Sequence, residues 1–139
     1  MKKIRTVVAG AGFIGPVHIE SIRRAGGVEV VALFHPVEKE VEAKAASFAI
    51  PHFYADFDKM IAEENFDCIH ICTPNNLHYP MAKAALAAGK HVVCEKPLAT
   101  TVEQAKELVL LAKKYNRVHA VNFNLRYYPL VRQMKRMRE

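Results

Sequence analysis

Three glycines constrain this chain most, because of what stands on either side of them. Ile4 to Ala9 is a short Val-rich apolar run ending at Gly10. Phe13 to Ala25 then carries Ile14, Val17, Ile19 and Ile22 at helical spacing before Gly26-Gly27 stops it. That order predicts strand, turn and helix with Gly10-x-Gly12-x-x-Gly15 in the turn. There the first glycine makes the tight reversal, the second leaves room for a pyrophosphate against the backbone, and the third lets the helix pack closely on the strand. A glycine-rich turn that binds nothing, or binds another nucleotide-like ligand, shares the spacing, so the flanking elements carry the argument for a dinucleotide.

The strand-helix alternation continues down the chain. Val28 to Phe34 reads as a second strand and Glu38 to Phe48 as a helix between Pro36 and Pro51. Phe53-Tyr54-Ala55 is a short third strand, and Asp56 is placed to cap the helix that holds Met60 and Ile61. Cys68 to Cys72 is a fourth strand and His91 to Cys94 a fifth. His78 to Ala88 is a helix between them, closed by Gly89, with Pro80 in its first turn, where a missing N–H costs little. Thr100-Thr101-Val102-Glu103 has capping-box spacing, with Val102, Ala105, Val109 and Ala112 on one face of the helix that follows. Val118 to Phe123 is a sixth strand, and a last helix starts near Pro129. Strands that are apolar throughout, rather than alternating, imply burial on both faces. The expected fold is α/β, a Rossmann-type doubly wound and mainly parallel sheet with helices on both faces.

Size and composition narrow the function. In 139 residues there is room for one core, so the expectation is a single dinucleotide-binding domain spanning 1–139, with no substrate domain in this chain. Composition is 51% hydrophobic and 24% charged without low-complexity tracts, which excludes a disordered chain. No apolar run approaches a bilayer span and Met1-Lys2-Lys3-Ile4 does not open a signal peptide, so a cytoplasmic location is expected. Cys68, Cys72 and Cys94, an odd number in apolar surroundings, fit reduced buried thiols. The net charge of +6 is concentrated from Arg126 onward, on Arg126, Arg132, Lys135, Arg136 and Arg138. That clustering fits the solvated side of a crossover helix, with Leu130, Val131, Met134 and Met137 opposite, better than a nucleic-acid or membrane surface.

Two turns fall at the carboxyl ends of strands, where open α/β sheets bind ligands: Thr73-Pro74-Asn75-Asn76-Leu77-His78 and Glu95-Lys96-Pro97. With the glycine turn, the Cys72-Thr-Pro-Asn75 segment with His78, Gly89-Lys-His-Val-Val-Cys-Glu-Lys-Pro97 and Asn124-x-Arg126, the chain resembles the N-terminal domain of the glucose-fructose oxidoreductase, inositol dehydrogenase and rhizopine-catabolism (Gfo/Idh/MocA) oxidoreductases. The resemblance covers essentially the whole chain. It implies a Rossmann domain that binds NAD or NADP and takes part in hydride transfer to or from a sugar, polyol or related hydroxyl or carbonyl compound. By the same resemblance Gly10, Gly12, Phe13, Ile14 and Gly15 shape the pyrophosphate loop, and Thr73, Asn75 and His78 line the nicotinamide half. Glu95 touches the nicotinamide ribose or carboxamide. Lys96 orients the substrate and moves its proton, as the catalytic residue, and Asn124 and Arg126 lie beside the same cleft.

The chain departs from the pattern in two places. Phe34-His35 stands where a carboxylate for the ribose hydroxyls is usual, which leaves NAD or NADP open and favours NADP at least equally, with Lys39 nearby. The family also continues into a second α/β domain with the substrate pocket, so a non-catalytic cofactor-binding or interaction module is the alternative reading. An apolar patch is expected around Pro97, Leu98, Phe123, Leu125 and Tyr127, and with it a homo-oligomer. Cys68, His70 and Cys72 alternate along one strand, an arrangement that suits a buried sheet face better than a tetrahedral metal site. His18, His52, His91 and His119 have no partner visible in the sequence and read as structural.

Overall fold

A computed structural model describes residues 3–138. Six strands form one parallel sheet: β1 (Ile4–Ala9), β2 (Val28–Phe34), β3 (His52–Tyr54), β4 (Cys68–Ile71), β5 (His91–Cys94) and β6 (His119–Val121), in the order β3-β2-β1-β4-β5-β6. The order reverses direction beside β1, which opens a crevice at the carboxyl edge between β1 and β4. The connecting helices are α1 (Gly15–Ala25), α2 (Glu38–Ser47), α3 (Phe57–Glu63), α4 (Asn75–Ala87) and α5 (Val102–Lys114). A 3₁₀ turn (Asn124–Tyr127) and α6 (Pro129–Arg138) follow β6.

The residues of β1 and β2 feed two cores, one on each face of the sheet. Val8, Val30 and Leu33 meet Ile19 and Ile22 of α1 and Val41 and Ala45 of α2 on one face. Val7, Ala9, Val31, Ile69, Ile71 and Val92 meet Met60 of α3, Met81, Ala82, Ala85 and Leu86 of α4 and Leu108 of α5 on the other. Each fully buried Leu, Ile or Met stabilises the fold by about 1.5–3 kcal/mol. Burial on both faces holds for β1 and β2. In β4 and β5 it fails: Ile69, Ile71, Val92 and Cys94 are buried on one face, while Cys68, His70, His91 and Val93 lie half-covered on the other.

The local signals are met with shifts of register. Asp56 caps α3, its Oδ1 accepting from the Lys59 N–H at 2.9 Å. The cap of α5 is Thr101, not Thr100: its Oγ1 accepts from the Gln104 N–H at 3.2 Å, and the Gln104 side chain reaches back to Thr100. Val102 and Val109 consequently face solvent, and the buried stripe centres on Leu108. Helix α4 begins three residues earlier than its apolar spacing predicts, because the polar Asn75 and Asn76 occupy a first turn whose N–H groups need no intrahelical partner. Pro80 therefore sits inside the helix and is exposed, where water can serve the Asn76 carbonyl that it leaves without an intrahelical bond.

Helix α6 does not behave as a crossover helix with one dry face. Leu130, Met134 and Met137 are 77%, 69% and 78% exposed, and the helix packs mainly on the 3₁₀ turn. Phe123, Leu125, Tyr127 and Pro97 are exposed as expected, whereas Leu98 is half-buried against the core. Among the described residues no helix is long and apolar enough to cross a membrane.

Candidate dinucleotide site

The parallel ladder runs past the ends of the strands and sets the site residues in a row. Gly10 donates to the Phe34 carbonyl at 2.8 Å, Cys72 to Ala9 at 2.7 Å, Glu95 to Ile71 at 2.9 Å and Asn122 to Cys94 at 2.8 Å. Residues far apart in sequence thus share one carboxyl edge.

Gly10 and Gly15 do the structural work that the spacing predicts. Gly10 has φ +107°, and a Cβ there would lie 2.5 Å from the Cys72 carbonyl oxygen. A Cβ on Gly15 would lie 2.1 Å from the Gly10 carbonyl oxygen, so only glycine lets α1 start this close to the end of β1. Gly12 differs, since a Cβ there would meet nothing within 4 Å. Gly12 and Phe13 are exposed, Phe13 at 93%, and Ile14 is half-buried. No side chain caps α1 and its first turn has no acidic residue, so the N-terminal N–H groups and the positive end of the dipole are left for an anion. The turn is also braced from α2, where the Lys44 ammonium donates to the Ala11 carbonyl, a contact that no spacing in the sequence announces.

At the end of β2, His35 is held by its neighbours. Its Nδ1 accepts from the Val37 N–H at 3.2 Å, and its Nε2 lies 3.8 Å from a Glu40 carboxylate oxygen. Glu40 thus sets a carboxylate beside His35.

At the end of β4, Thr73 is half-buried, its hydroxyl donating to the Met81 sulfur at 3.4 Å, and Asn75 is exposed at the start of α4. His78 is 1% exposed. Its Nδ1 lies 2.6 Å from the Pro97 carbonyl and its Nε2 2.8 Å from that of Thr73, so the ring ties together the turns after β4 and β5. Lys96 and Pro97 are exposed, and the peptide between them is cis.

Glu95 is 7% exposed and well supplied with donors. His18 Nε2 lies 3.0 Å from Oε1, Asn122 Nδ2 donates to the same oxygen at 2.6 Å, and the Lys96 N–H donates to Oε2 at 3.1 Å. Burial alone would raise its pKa, but the hydrogen bonds outweigh it and hold the carboxyl below its usual range. His18 carries no partner in the sequence reading, yet it is the residue of α1 that reaches Glu95, 77 positions away. No local pattern signals such a contact, although one helical turn from Gly15 places His18 on the sheet side of α1. Asn124 joins His18, His70, Asn122 and Ile14 around a cavity of about 290 Å³, whereas Arg126 lines another with Arg132, Lys135 and Arg136 of α6.

The cysteines are free. Burial pushes Cys68 up to about 11 and Cys94 up to about 12, and raises Cys72 further with help from the Glu95 charge, so none is a ready thiolate. No group of three or more His, Cys, Asp or Glu side chains among the described residues could hold a metal ion.

A Gly-lined anion cradle at the switch point of a doubly wound parallel sheet defines a dinucleotide-binding Rossmann domain. Residues 4–123 match the oxidoreductase family with an NAD-binding Rossmann fold to which the Gfo/Idh/MocA proteins belong, and the chain is a member of that family. It is 33% identical to levoglucosan dehydrogenase of Pseudarthrobacter phenanthrenivorans, over 98% of this chain and 37% of that protein. With D-glucoside 3-dehydrogenase of Escherichia coli it shares 33% identity over 89% of this chain and 36% of the relative. The WlbA dehydrogenase of Bordetella pertussis, solved with NADH and UDP-GlcNAcA, superposes with a TM-score of 0.91 at 30% identity, over 96% of this chain and 41% of that one. Scyllo-inositol dehydrogenase of Lactobacillus casei, solved with NAD(H) and scyllo-inositol, gives 0.89 at 25%, over 98% and 41%. The chain spans about two fifths of the length of these relatives.

Proposed function

We propose that this chain is the cofactor-holding half of an NAD(P)-dependent oxidoreductase that interconverts a hydroxyl and a carbonyl group on a sugar, polyol or related compound. The observation that carries the reading is the unobstructed Gly12 at an uncapped helix N-terminus, on the same sheet edge as Glu95 and Lys96. A dinucleotide laid across that edge has its pyrophosphate on the Gly10 to Gly15 turn and its adenosine toward β2. Its nicotinamide half then falls over β4 and β5, where Thr73, Asn75 and Glu95 stand. The cofactor supplies the hydride chemistry. Lys96 Nζ takes the proton from the substrate hydroxyl as a neutral amine, or returns it to the carbonyl oxygen as an ammonium, while the fixed Glu95 orients the nicotinamide ribose or carboxamide. Asn124 borders the same cleft, whereas Arg126 lines a separate cavity with residues of α6.

His35 imposes no fixed negative charge where the adenosine ribose lies, yet Glu40 brings a carboxylate to the same corner. Use of both cofactors follows, with NADPH within about tenfold of NADH. Turnover depends on a second domain closing over the substrate, since orientation from both sides is what creates a near-attack geometry. The exposed Phe123, Leu125 and Tyr127 are where such a domain, or a second copy, would rest. Calorimetric titration of the chain with NADH, NADPH and ADP tests the reading. Binding of all three supports it, and absence of binding overturns it.

A further inference from the structure

We propose that His18 is a positioning residue for the cofactor's nicotinamide half, acting through the Glu95 carboxylate that it holds from α1. The inference deepens the cofactor reading and rests on it.

The network joins four elements of the fold. His18 lies three residues beyond Gly15, on the helix whose N-terminus forms the anion cradle, and it is 7% exposed. Its Nε2 lies 3.0 Å from Glu95 Oε1 at the end of β5, and its Nδ1 lies 3.0 Å from Nδ1 of His70 on β4. The rings of His18 and His70 meet edge to face, 5.2 Å apart. Asn122, just past β6, donates to the same Glu95 oxygen and lies 3.3 Å from His18 Nε2, so two donors converge on one acceptor.

An ionised carboxylate only accepts, so His18 carries its proton on Nε2 and donates it to Glu95. Three donors then occupy Glu95: His18 and Asn122 on Oε1 and the Lys96 N–H on Oε2. Two carboxylate oxygens offer about four lone-pair positions, and the one left over is on Oε2, which otherwise accepts only from the Lys96 N–H. That remaining position suits a ribose hydroxyl or a carboxamide N–H. Without His18, Glu95 keeps Asn122 but loses the donor that ties it to α1. The residue fixing the nicotinamide half would then move independently of the helix fixing the pyrophosphate. A purely packing role for His18 would affect both halves of the cofactor alike.

The test compares the unmodified chain with His18→Leu and His18→Gln, titrated with NADH and with ADP, which shares the pyrophosphate and lacks the nicotinamide half. The expected result is that His18→Leu weakens NADH about tenfold and leaves ADP within twofold, and that His18→Gln, whose amide N–H can replace Nε2–H, stays within threefold of the unmodified chain for NADH. Equal losses for NADH and ADP, or no loss for either, overturn the positioning role. Should His18→Leu fail to fold, ¹⁵N spectra of the histidines in the unmodified chain at pH 7 decide instead: a proton on His18 Nε2 supports the network and a bare Nε2 overturns it. Failure of the unmodified chain to bind either ligand overturns the cofactor reading, and the proposal with it.

Discussion

Replacing Gly12 with valine separates binding from folding. The position has no positive φ and an added Cβ meets nothing within 4 Å, so the native chain accommodates the side chain at a cost within about 0.5 kcal/mol, as for an ordinary surface change. The same side chain fills the space in which a pyrophosphate approaches the backbone. Displacing it forfeits at least one or two charge-assisted hydrogen bonds at about 1.5–3 kcal/mol each, so the expected loss is about 3 kcal/mol, or 100-fold or more in Kd. Calorimetry with NADH, alongside thermal unfolding of both chains, reads the two quantities separately. An unchanged melting temperature with binding reduced at least 100-fold is predicted. Unchanged affinity would refute the placement of the pyrophosphate, and a large loss of stability would refute the claim that this glycine is there for the ligand.

Gly15→Ala should do the opposite, because its Cβ falls 2.1 Å from a backbone oxygen that cannot yield cheaply; a loss of about 1–3 kcal/mol or more by chemical denaturation is expected, and an unaltered midpoint would contradict the packing argument. Burial, and then the neighbouring His18, lower the His70 pKa from 6.5 to about 4, so between these values the unfolded chain binds a proton that the folded chain does not. His70 therefore contributes fully above pH 6.5 and its contribution is lost as pH falls toward 4, by about 3 kcal/mol. Urea denaturation at pH 7 and pH 4.5 should show a smaller acid loss in His70→Asn than in the unmodified chain, and equal losses would argue against the shift. The chain alone should give no enzymatic turnover on a panel of sugars and polyols followed by NAD(P)H absorbance, and should self-associate in light scattering. Robust turnover, or a strictly monomeric species, would contradict the need for a partner over Phe123 to Tyr127. In a protein that carries the second domain, Lys96→Met should lower kcat at least 100-fold with cofactor affinity preserved, and full activity would remove Lys96 from proton transfer.

Much of the scaffold is legible in the sequence because its signals are local. The apolar runs of β1, β2 and β5 and the stops at Gly26-Gly27 and Gly89 mark element ends without reference to the rest of the fold. Register at helix starts is less legible. Thr100 and Thr101 offer the same capping chemistry, and only the tertiary burial of Leu108 selects the second. Polar first turns also escape apolar periodicity, which is why α4 begins at Asn75 and not at His78. The candidate site divides along the same line. Its glycines and the Glu95-Lys96-Pro97 turn are contiguous motifs, whereas the His18 to Glu95 contact and the Lys44 brace on Ala11 exist only once the sheet brings distant residues to one edge.

The central claim is that a dinucleotide lies across this edge from the glycine turn to Glu95. Backbone amide shift mapping of the ¹⁵N-labelled chain titrated with NADH tests it most directly. The predicted result is a continuous set of perturbed amides over Gly10 to Gly15, Thr73 to Asn75 and Glu95 to Lys96. Perturbation confined to another surface, such as the cavity of about 460 Å³ lined by His52, Phe53 and Lys59, would contradict it.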